Sequence, residues 1–304
     1  MVQRPLYTIP LPVRAPLQLG ARTLVMGILN VTPDSFADGG IHFDPERAIE
    51  AGLRMVEDGA DIIDVGGEST RPGAEALPEA EELRRVIPVI DRLAARVKVP
   101  LSIDTYKARV AREAVAAGAT IVNDISGLQY DSALGHAVAE TGAALVLMHT
   151  RGRSSGMYER ARYNDAPAEV TSELREAIAR ATSAGVARDA IIVDPGIGFA
   201  KKAEHSAAAL AHLDTLQALD RPILSGPSRK SFMKAALGER VAAEREWGTA
   251  AAVAASILLG AHIVRVHGVK EMVDVARVAD LIRNARGRPL ALSSAERGGS
   301  DGTL

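Results

Sequence analysis

The chain has 304 residues, 47% hydrophobic and 24% charged, with a formal net charge of -2. It is long enough to bury a large core, and the near balance of 36 basic against 38 acidic residues leaves no overall footprint for nucleic acid or an anionic membrane surface. The absence of cysteine excludes disulfides, thiolate nucleophiles and thiolate-held metals, and with aromatics at 3% the core must be built from Ala, Val, Ile and Leu.

In chain order, residues 1–22 are interrupted by Pro10, Pro12, Arg14 and Pro16, so they make no signal-peptide core. They are expected to form a hairpin extension that closes the bottom of the domain. An apolar run from Val25 ends on Asn30 and opens into a polar loop at Thr32, Pro33, Asp34 and Ser35. Asp44 and Pro45 form an N-cap and first-turn pair, followed by Ile49, Leu53 and Val56 on one helical face. Leu83, Val86, Ile87, Ile90 and Leu93 form another helical stripe, which Pro88 is expected to kink or disturb. Met272, Val275, Ala276, Ala279 and Ile282 form the last. Trp247 to Val264 is long enough to raise a membrane span, but it is rich in small residues and divides into a helix (249–259) and a strand (262–266). The polar, Gly-rich tail Ser293–Leu304 is expected to be disordered. That leaves 1–292 as one domain, and the expected compartment is the cytoplasm.

A phrase recurs between these segments. DGADIIDV, AGATIVND, TGAALVLMH and LGAHIVRVH each set Gly-Ala before a short apolar run. The Gly suits a left-handed helix end and the run has strand length and strand residue types. Eight such runs lie near 24–30, 61–65, 99–104, 120–123, 144–149, 190–194, 222–226 and 262–267. Their spacing averages about 34 residues, the size of one βαβ unit. The pattern predicts an α/β fold, a single (β/α)8 TIM barrel with an N-terminal hairpin extension. An open doubly wound sheet would need a Gly-rich phosphate fingerprint after the first strand, and none is present.

The strand ends carry Asn30, Asp64, Asp104, Asn123, His149, Asp194 and His267, and Lys230 follows the seventh strand. In a barrel these ends share one rim, where active sites of this fold are built. Helix capping accounts for any one of them as readily as function does; it does not account for seven of eight. Asp104, Asn123, Asp194 and Lys230 suit a flat heterocycle with several N–H groups, because buried polar edges must be paired. Asn30, Arg71, Arg265 and His267 suit an oxyanion-rich ligand such as phosphate. GGESTRPG and TPDSFADGG read equally as mobile lids or as solvated turns. His42, His136, His205 and His212 read as surface or helix residues, and a zinc site lacks local ligand spacing. With phosphate as ligand, Mg2+ is the expected ion, held partly by the ligand itself.

Taken together, NVTPDSF, DVGGESTRPGA, SIDTYK, VNDISG, LMH, DPGIGFAK, GPSRKSF and RVH, in that order from Val25 to about Ala285, resemble the dihydropteroate synthase family. NVTPDSF, GGESTRPG and SRKSF are the specific motifs; DPG and the apolar strands alone are weak. The resemblance implies a transferase of folate biosynthesis that joins 4-aminobenzoate to 6-hydroxymethyl-7,8-dihydropterin diphosphate and releases diphosphate. It implies a pterin pocket of Asp104, Asn123, Met148, Asp194, Phe199, Gly226 and Lys230. It implies a diphosphate site of Asn30, Arg71, Arg265 and His267, with Asn30 touching Mg2+. The implied aminobenzoate pocket is Phe36, Thr70, Pro72, Phe199, Lys230 and Ser231, the surface that sulfonamides mimic their way into. Asp38, Arg71, Asp104 and Lys230 are the implied catalytic set, with Asp38 stabilising a carbocation-like pterin methylene after diphosphate leaves. Asp64 matches a family position beneath the site. A homodimer is also implied, with helices 249–259 and 271–285 as candidate contact surfaces.

Two positions depart from the family pattern. Thr150 and Arg151 replace Met and Gln, adding charge near the mouth, and Gly268 replaces an Asp suited to cap the last helix. Two other readings of the same pocket remain at this stage: a methyltetrahydrofolate:corrinoid methyltransferase, and a pterin-binding paralogue without turnover. The first needs neither the diphosphate group nor the SRKS pocket; the second leaves the two intact loops without a purpose.

Overall fold

The four Gly-Ala joints adopt the conformation their sequence suggests. Gly59, Gly118, Gly142 and Gly260 have φ of +99°, +113°, +68° and +105°, a region that a Cβ disfavours. Each lets the chain leave a helix and enter a strand. This computed structural model describes residues 3–32, 37–38, 42–69, 76–153, 156 and 158–285, with the backbone alone at 37, 38, 42 and 43. The tail Ser293–Leu304 lies outside the described residues.

The chain begins with an antiparallel hairpin of β1 (Tyr7–Ile9) and β2 (Leu17–Leu19). The barrel strands then follow as β3 (Leu24–Asn30), β6 (Ile62–Gly66), β7 (Leu101–Asp104), β8 (Ile121–Asp124), β9 (Ala144–Met148), β10 (Ile191–Asp194), β11 (Leu224–Ser225) and β12 (Ile263–Val266), while β4 (Ala37–Asp38) and β5 (His42–Phe43) form a small separate pair. Helices lie between them: α1 (Pro45–Glu57), α2 (Glu79–Ala94), α3 (Ala108–Ala116), α4 (Leu134–Thr141), α5 (Ala166–Ser183), α6 (Ala203–Ala211), α7 (Lys234–Leu237), α8 (Glu246–Leu258) and α9 (Val269–Ala285). The eight long-range strands pair in parallel in the order β10-β9-β8-β7-β6-β3-β12-β11. The Val193 N–H donates to Pro222 O at 3.0 Å and a bridge joins Val193 to Ile223, bringing the two ends of the sheet together. The result is the (β/α)8 barrel that the strand count predicts.

Strand side chains alternate between two cores, as the period of two requires. Val25, Leu29, Ile63, Val65, Ile103, Val122, Leu145, Leu147, Val193 and Val264 pack outward with helix residues. Leu24, Met26, Ile62, Ile121, Ala144, Val146, Ile192, Leu224 and Ile263 fill the interior, and Ile9, Leu11 and Leu19 of the hairpin join that inner cluster. Because these residues come from the early part of each strand, the hairpin seals the N-terminal end. Each side chain buried this way is worth about 1.5–3 kcal/mol.

Local details follow the sequence, with adjustments. Asp44 caps α1 by accepting from the Glu46 N–H at 2.9 Å. α2 runs uninterrupted through Pro88, which sits on its exposed face, so the bond that proline cannot make is left to water rather than forcing a break. Trp247–Val264 divides into all but the first residue of α8 and the start of β12, and no helix among the described residues is long and apolar enough to cross a membrane. Ile282, expected in the buried stripe of the last helix, is half exposed.

Candidate active site

The inward positions change character along the barrel axis. Below lies the apolar cluster; above it the same alternation brings in Asn30, Asp64, Asp104, Asn123, Met148, Asp194, Gly226, Arg265 and His267. Sheet register sets their heights, with Asn30 opposite Gly66, Gly66 opposite Asp104, and Asp104 opposite Asn123. Asp194 lies opposite Met148 on the next pair.

Arg265 sits at the centre. Its Nε donates to Asp64 Oδ2 and its Nη2 to Asp104 Oδ2, both at 2.6 Å. Asn123 Nδ2 donates to the same Asp64 oxygen at 2.9 Å, which leaves the Asn123 carbonyl as an acceptor. Asp64 is fully buried, and its Oδ1 has no partner among the described residues. Asp194 Oδ1 accepts from the Gly196 N–H at 2.7 Å, while its Oδ2 stands 3.9 Å from where a Cβ on Gly226 would be. Glycine there keeps the space beside that free oxygen open.

Three carboxylates thus surround Arg265, which is bonded to two of them, with Lys230 nearby; both cations are partly buried. Burial pushes Asp104 up to about 7 and adjacent Asp64 adds to it, against the pull of Arg265 and Lys230. Burial raises Asp194 to about 6 despite the Gly196 N–H and Lys230. Burial, with Arg265, lowers Lys230 to about 8, against Asp194 and Asp104. Such opposed shifts in one cleft mark a functional site. The group offers carboxylate and amide acceptors to the N–H edge of a planar ring, and cations to its acceptors.

Two turns complete the described part. After β10, residues 195–201 bring Phe199 against Met148, Tyr106 and Ile125. Lys230 Nζ rests 3.9 Å from the Phe199 ring centroid. After β11, the 227–230 turn carries Ser228, whose hydroxyl meets His267 Nδ1 at 2.9 Å and accepts from the His267 backbone N–H at 3.2 Å. Arg229 takes a φ of +58°; its N–H donates to Thr249 Oγ1 at 3.0 Å and its Nε to Glu246 Oε2 at 2.9 Å. Ser231 begins the following short helix and is exposed. Asn30 is half-buried at the end of β3. Phe36, Thr70, Arg71 and Pro72 lie outside the described residues, as does the side chain of Asp38. Lys107 Nζ donates to Glu68 Oε2 at 2.5 Å and to Leu77 O at 2.7 Å, joining positions on either side of 70–75.

Several sequence expectations change. The heterocycle and anion groups are not separate, because Arg265, assigned to the second, is bonded to Asp104 of the first and to Asp64, the position expected beneath the site. His149 does not join the rim: its Nε2 faces Glu173 of α5 at 2.9 Å and its Nδ1 meets Lys201 Nζ at 2.8 Å. Met148 is an inward residue, so the next position turns outward. Arg151 does not add free charge at the mouth; it pairs with Glu173 and with Glu169 (2.7 Å) and lies 4.0 Å over the Tyr163 ring. At Gly268 a Cβ would stand 2.4 Å from Glu246 Oε1, so the space of a capping side chain is already taken. Sequence reasoning missed Ser228, Lys201 and Glu173. The parity of each strand end would have signalled His149's direction, but not its partners on other elements.

Fold and site define a barrel with a polar mouth in which carboxylate acceptors are interleaved with partly buried cations. The pterin binding enzyme family matches residues 26–267. The chain is 46% identical over 266 residues to the dihydropteroate synthase of Bacillus subtilis (strain 168), covering 88% of this chain and 90% of that one. It is 45% identical over 262 residues to that of Escherichia coli (strain K12), covering 86% and 92%. Among solved structures, Yersinia pestis dihydropteroate synthase with a sulfonamide drug complex superposes with a TM-score of 0.85 at 41% identity, covering 91% of this chain and 100% of that one. The Xanthomonas albilineans enzyme with 4-aminobenzoic acid gives 0.82 at 44%, covering 88% and 95%. The chain belongs to the pterin-binding enzyme family, among the dihydropteroate synthases.

Proposed function

We infer that the chain catalyses the dihydropteroate synthase reaction: 6-hydroxymethyl-7,8-dihydropterin diphosphate and 4-aminobenzoate give 7,8-dihydropteroate and diphosphate, a transferase step in folate biosynthesis. The observation that carries this reading is the single inward layer that holds Asp104, Asn123, Asp194 and Arg265 together, with Lys230 over Phe199 beside it.

In this reading Asp104, Asn123 and Asp194 accept from the pterin N–H edge, and Lys230 donates to a ring acceptor. Met148 and Phe199 flank the ring and Gly226 leaves room for it. Arg265, His267, Asn30 and Arg71 take the diphosphate. Phe36, Thr70, Pro72, Phe199, Lys230 and Ser231 surround the aminobenzoate. The C–O bond to diphosphate breaks first and both bonding electrons leave with the anion, whose charge the guanidiniums and imidazole offset. Asp38 and the neighbouring carboxylates stabilise the methylene cation. The aniline nitrogen then attacks it and loses a proton; so electrophilic a carbon needs no strong general base.

The donor set fits magnesium. Asn30 offers one neutral oxygen, and among the described residues no trio of acidic or histidine side chains is set to hold a metal. That suits an ion carried largely by phosphate oxygens and water. When bound, it neutralises charge on the leaving group.

We read residues 1–292 as one cytoplasmic barrel domain with 1–22 as its extension, and the assembly as a homodimer. Exposed Trp247 on α8 and Val278, Leu281 and Ile282 on α9 support a contact surface there. Diphosphate release on adding both substrates with Mg2+ tests the reaction, and sulfonamides are expected to compete with 4-aminobenzoate. Turnover of methyltetrahydrofolate with a corrinoid protein instead, or pterin binding without diphosphate release, overturns it.

A further inference from the structure

Lys201 takes no part in the chemistry above, yet its side chain is among the largest that the fold buries, at 2% exposure. An ammonium has three hydrogens, and four acceptors surround it: His149 Nδ1 at 2.8 Å, Phe199 O at 3.1 Å, Gly196 O at 3.2 Å and, most distant, His149 O at 3.5 Å. Burial lowers Lys201 to about 7, against the pull of Asp194 and Glu173. With Nδ1 accepting, a neutral His149 carries its proton on Nε2, which faces Glu173 at 2.9 Å. Burial, with Lys201 next, lowers His149 to about 4, so the ring is neutral at pH 7. Glu173 is held in turn by Arg151, and Arg151 stacks on Tyr163, whose hydroxyl donates to Ala200 O at 3.0 Å.

The turn these groups grip needs outside support. Gly196, Gly198 and Ala200 have φ of +67°, +81° and +47°, and for alanine that region carries strain. A Cβ on Gly196 would stand 2.0 Å from His149 O, so the turn is pressed against the end of β9. In its middle sits Phe199, the ring on which the Lys230 ammonium rests, and a Cβ on Gly198 would stand 3.1 Å from Lys230 Cδ, so the turn packs closely along that stem.

We propose that Lys201 is a positioning residue: it ties the 196–200 turn to His149 and so sets Phe199, and through it Lys230, in the ligand pocket. The inference rests on the proposed function for the roles of those two residues. Lys201 acts through the carbonyls of Gly196, Phe199 and His149 and through the His149 imidazole.

The test is Lys201→Met in the full chain. Dihydropterin diphosphate Kd and 4-aminobenzoate KM are expected to rise about tenfold each, because small displacements of positioning groups are costly, while kcat falls less. Nitrogen-15 NMR is expected to show His149 as the Nε2–H tautomer in the wild type and a tautomer mixture in the variant, a change that mere loss of stability does not produce. A folded variant with both constants within about twofold of wild type overturns the proposal, as does a wild-type His149 protonated on Nδ1. Should Lys201→Met fail to fold, Glu173→Gln loosens His149 from its half-exposed side; about a threefold rise in the same constants supports the proposal and unchanged constants overturn it. A wild type that binds neither substrate removes the functional reading itself, whereas a normal wild type beside an unaffected variant removes only this inference.

Discussion

Each end of the barrel buries an arginine beside aspartate, and the two pairings differ in completeness. At the N-terminal end Arg4 donates to Gly20 O at 3.1 Å, Thr23 Oγ1 at 2.7 Å, Ala261 O at 2.6 Å and Asp280 Oδ1 at 3.0 Å. Asp280 accepts in addition from the Thr23 N–H and hydroxyl. This network fastens the hairpin segment to α9 and the start of β3. At the C-terminal end Arg265 is divided between two carboxylates, Asp64 Oδ1 has no partner among the described residues, and Asp104 is pushed up to about 7. Both ends bury charge, but among the described residues the unpartnered atom at the upper end is a carboxylate oxygen, Asp64 Oδ1, whereas at the lower end it is a donor, Arg283 Nε, already 3.4 Å from Asp280 Oδ1. A network that is fully satisfied rigidifies the fold, whereas a partly satisfied one is costly until something completes it. At the barrel mouth, in the proposed function, that something is the pterin substrate.

Truncating each arginine breaks the comparison most directly. Arg265→Ala is expected to lower kcat/KM on the order of a thousandfold, about 4 kcal/mol of transition-state stabilisation, and to cost stability as well, because the fully buried Asp64 loses its cation. Steady-state kinetics beside calorimetry checks both halves. Arg4→Met separates stability from activity: a urea titration is expected to show roughly 3 kcal/mol lost, since Gly20 O, Thr23 Oγ1 and Ala261 O lose their donor and Asp280 keeps only Arg283, 3.4 Å away, while the folded enzyme keeps its kcat/KM. If Arg265→Ala keeps its kcat/KM and Arg4→Met inactivates the folded enzyme, the contrast between the ends is wrong.

The pH dependence of stability sharpens the contrast. His262, at the lower end, accepts from the Ile223 N–H on Nδ1 and faces Pro5 O with Nε2, each at 3.1 Å, and burial lowers it to about 4. The unfolded chain therefore protonates first. Its contribution is complete above about pH 6.5 and is lost as pH falls towards 4, by about 2–3 kcal/mol. Asp104 and Asp194 act oppositely: raised to about 7 and about 6, they contribute most in acid and lose that contribution as pH rises through those values. Unfolding free energies between pH 4 and 7 are expected to rise less steeply in His262→Asn than in wild type. An identical slope means that His262 is not the group responsible.

The smallest effect concerns Gly268. Gly268→Asp, which restores the capping residue of the family pattern, is expected to lose about 1 kcal/mol instead of gaining it, because the new side chain meets Glu246. Glu246→Ala in the same chain is expected to recover part of that loss in a double-mutant cycle. Simple stabilisation by Gly268→Asp means that Glu246 moves aside freely.

Much of the site was legible because barrel architecture converts strand-end position into location. Asp104, Asn123, Asp194 and Gly226 are inward residues at the ends of apolar runs, and they meet at one rim. His149 shows where that reading stops. It too stands at a strand end, one residue past an inward methionine, and a shift of one reverses its face. Arg265 shows another limit. Its charge suggested an anion partner, yet its nearest groups are Asp64 and Asp104, more than 160 residues away in the chain. Arg151 likewise looked like free charge until Glu169 and Glu173 of α5 came beside it.

The order of apolar runs, their Gly-Ala joints and the polar residues that end them were sufficient for the fold, because burial, backbone sterics and strand periodicity act over a few residues at a time. Those local rules also named most of the residues at the mouth. Which oxygen each cation occupies, which carboxyl stays unpaired, and which histidine turns away were decided only when the eight strands closed. Pairing and desolvation depend on distance in space, and residues far apart in the chain supply the partners.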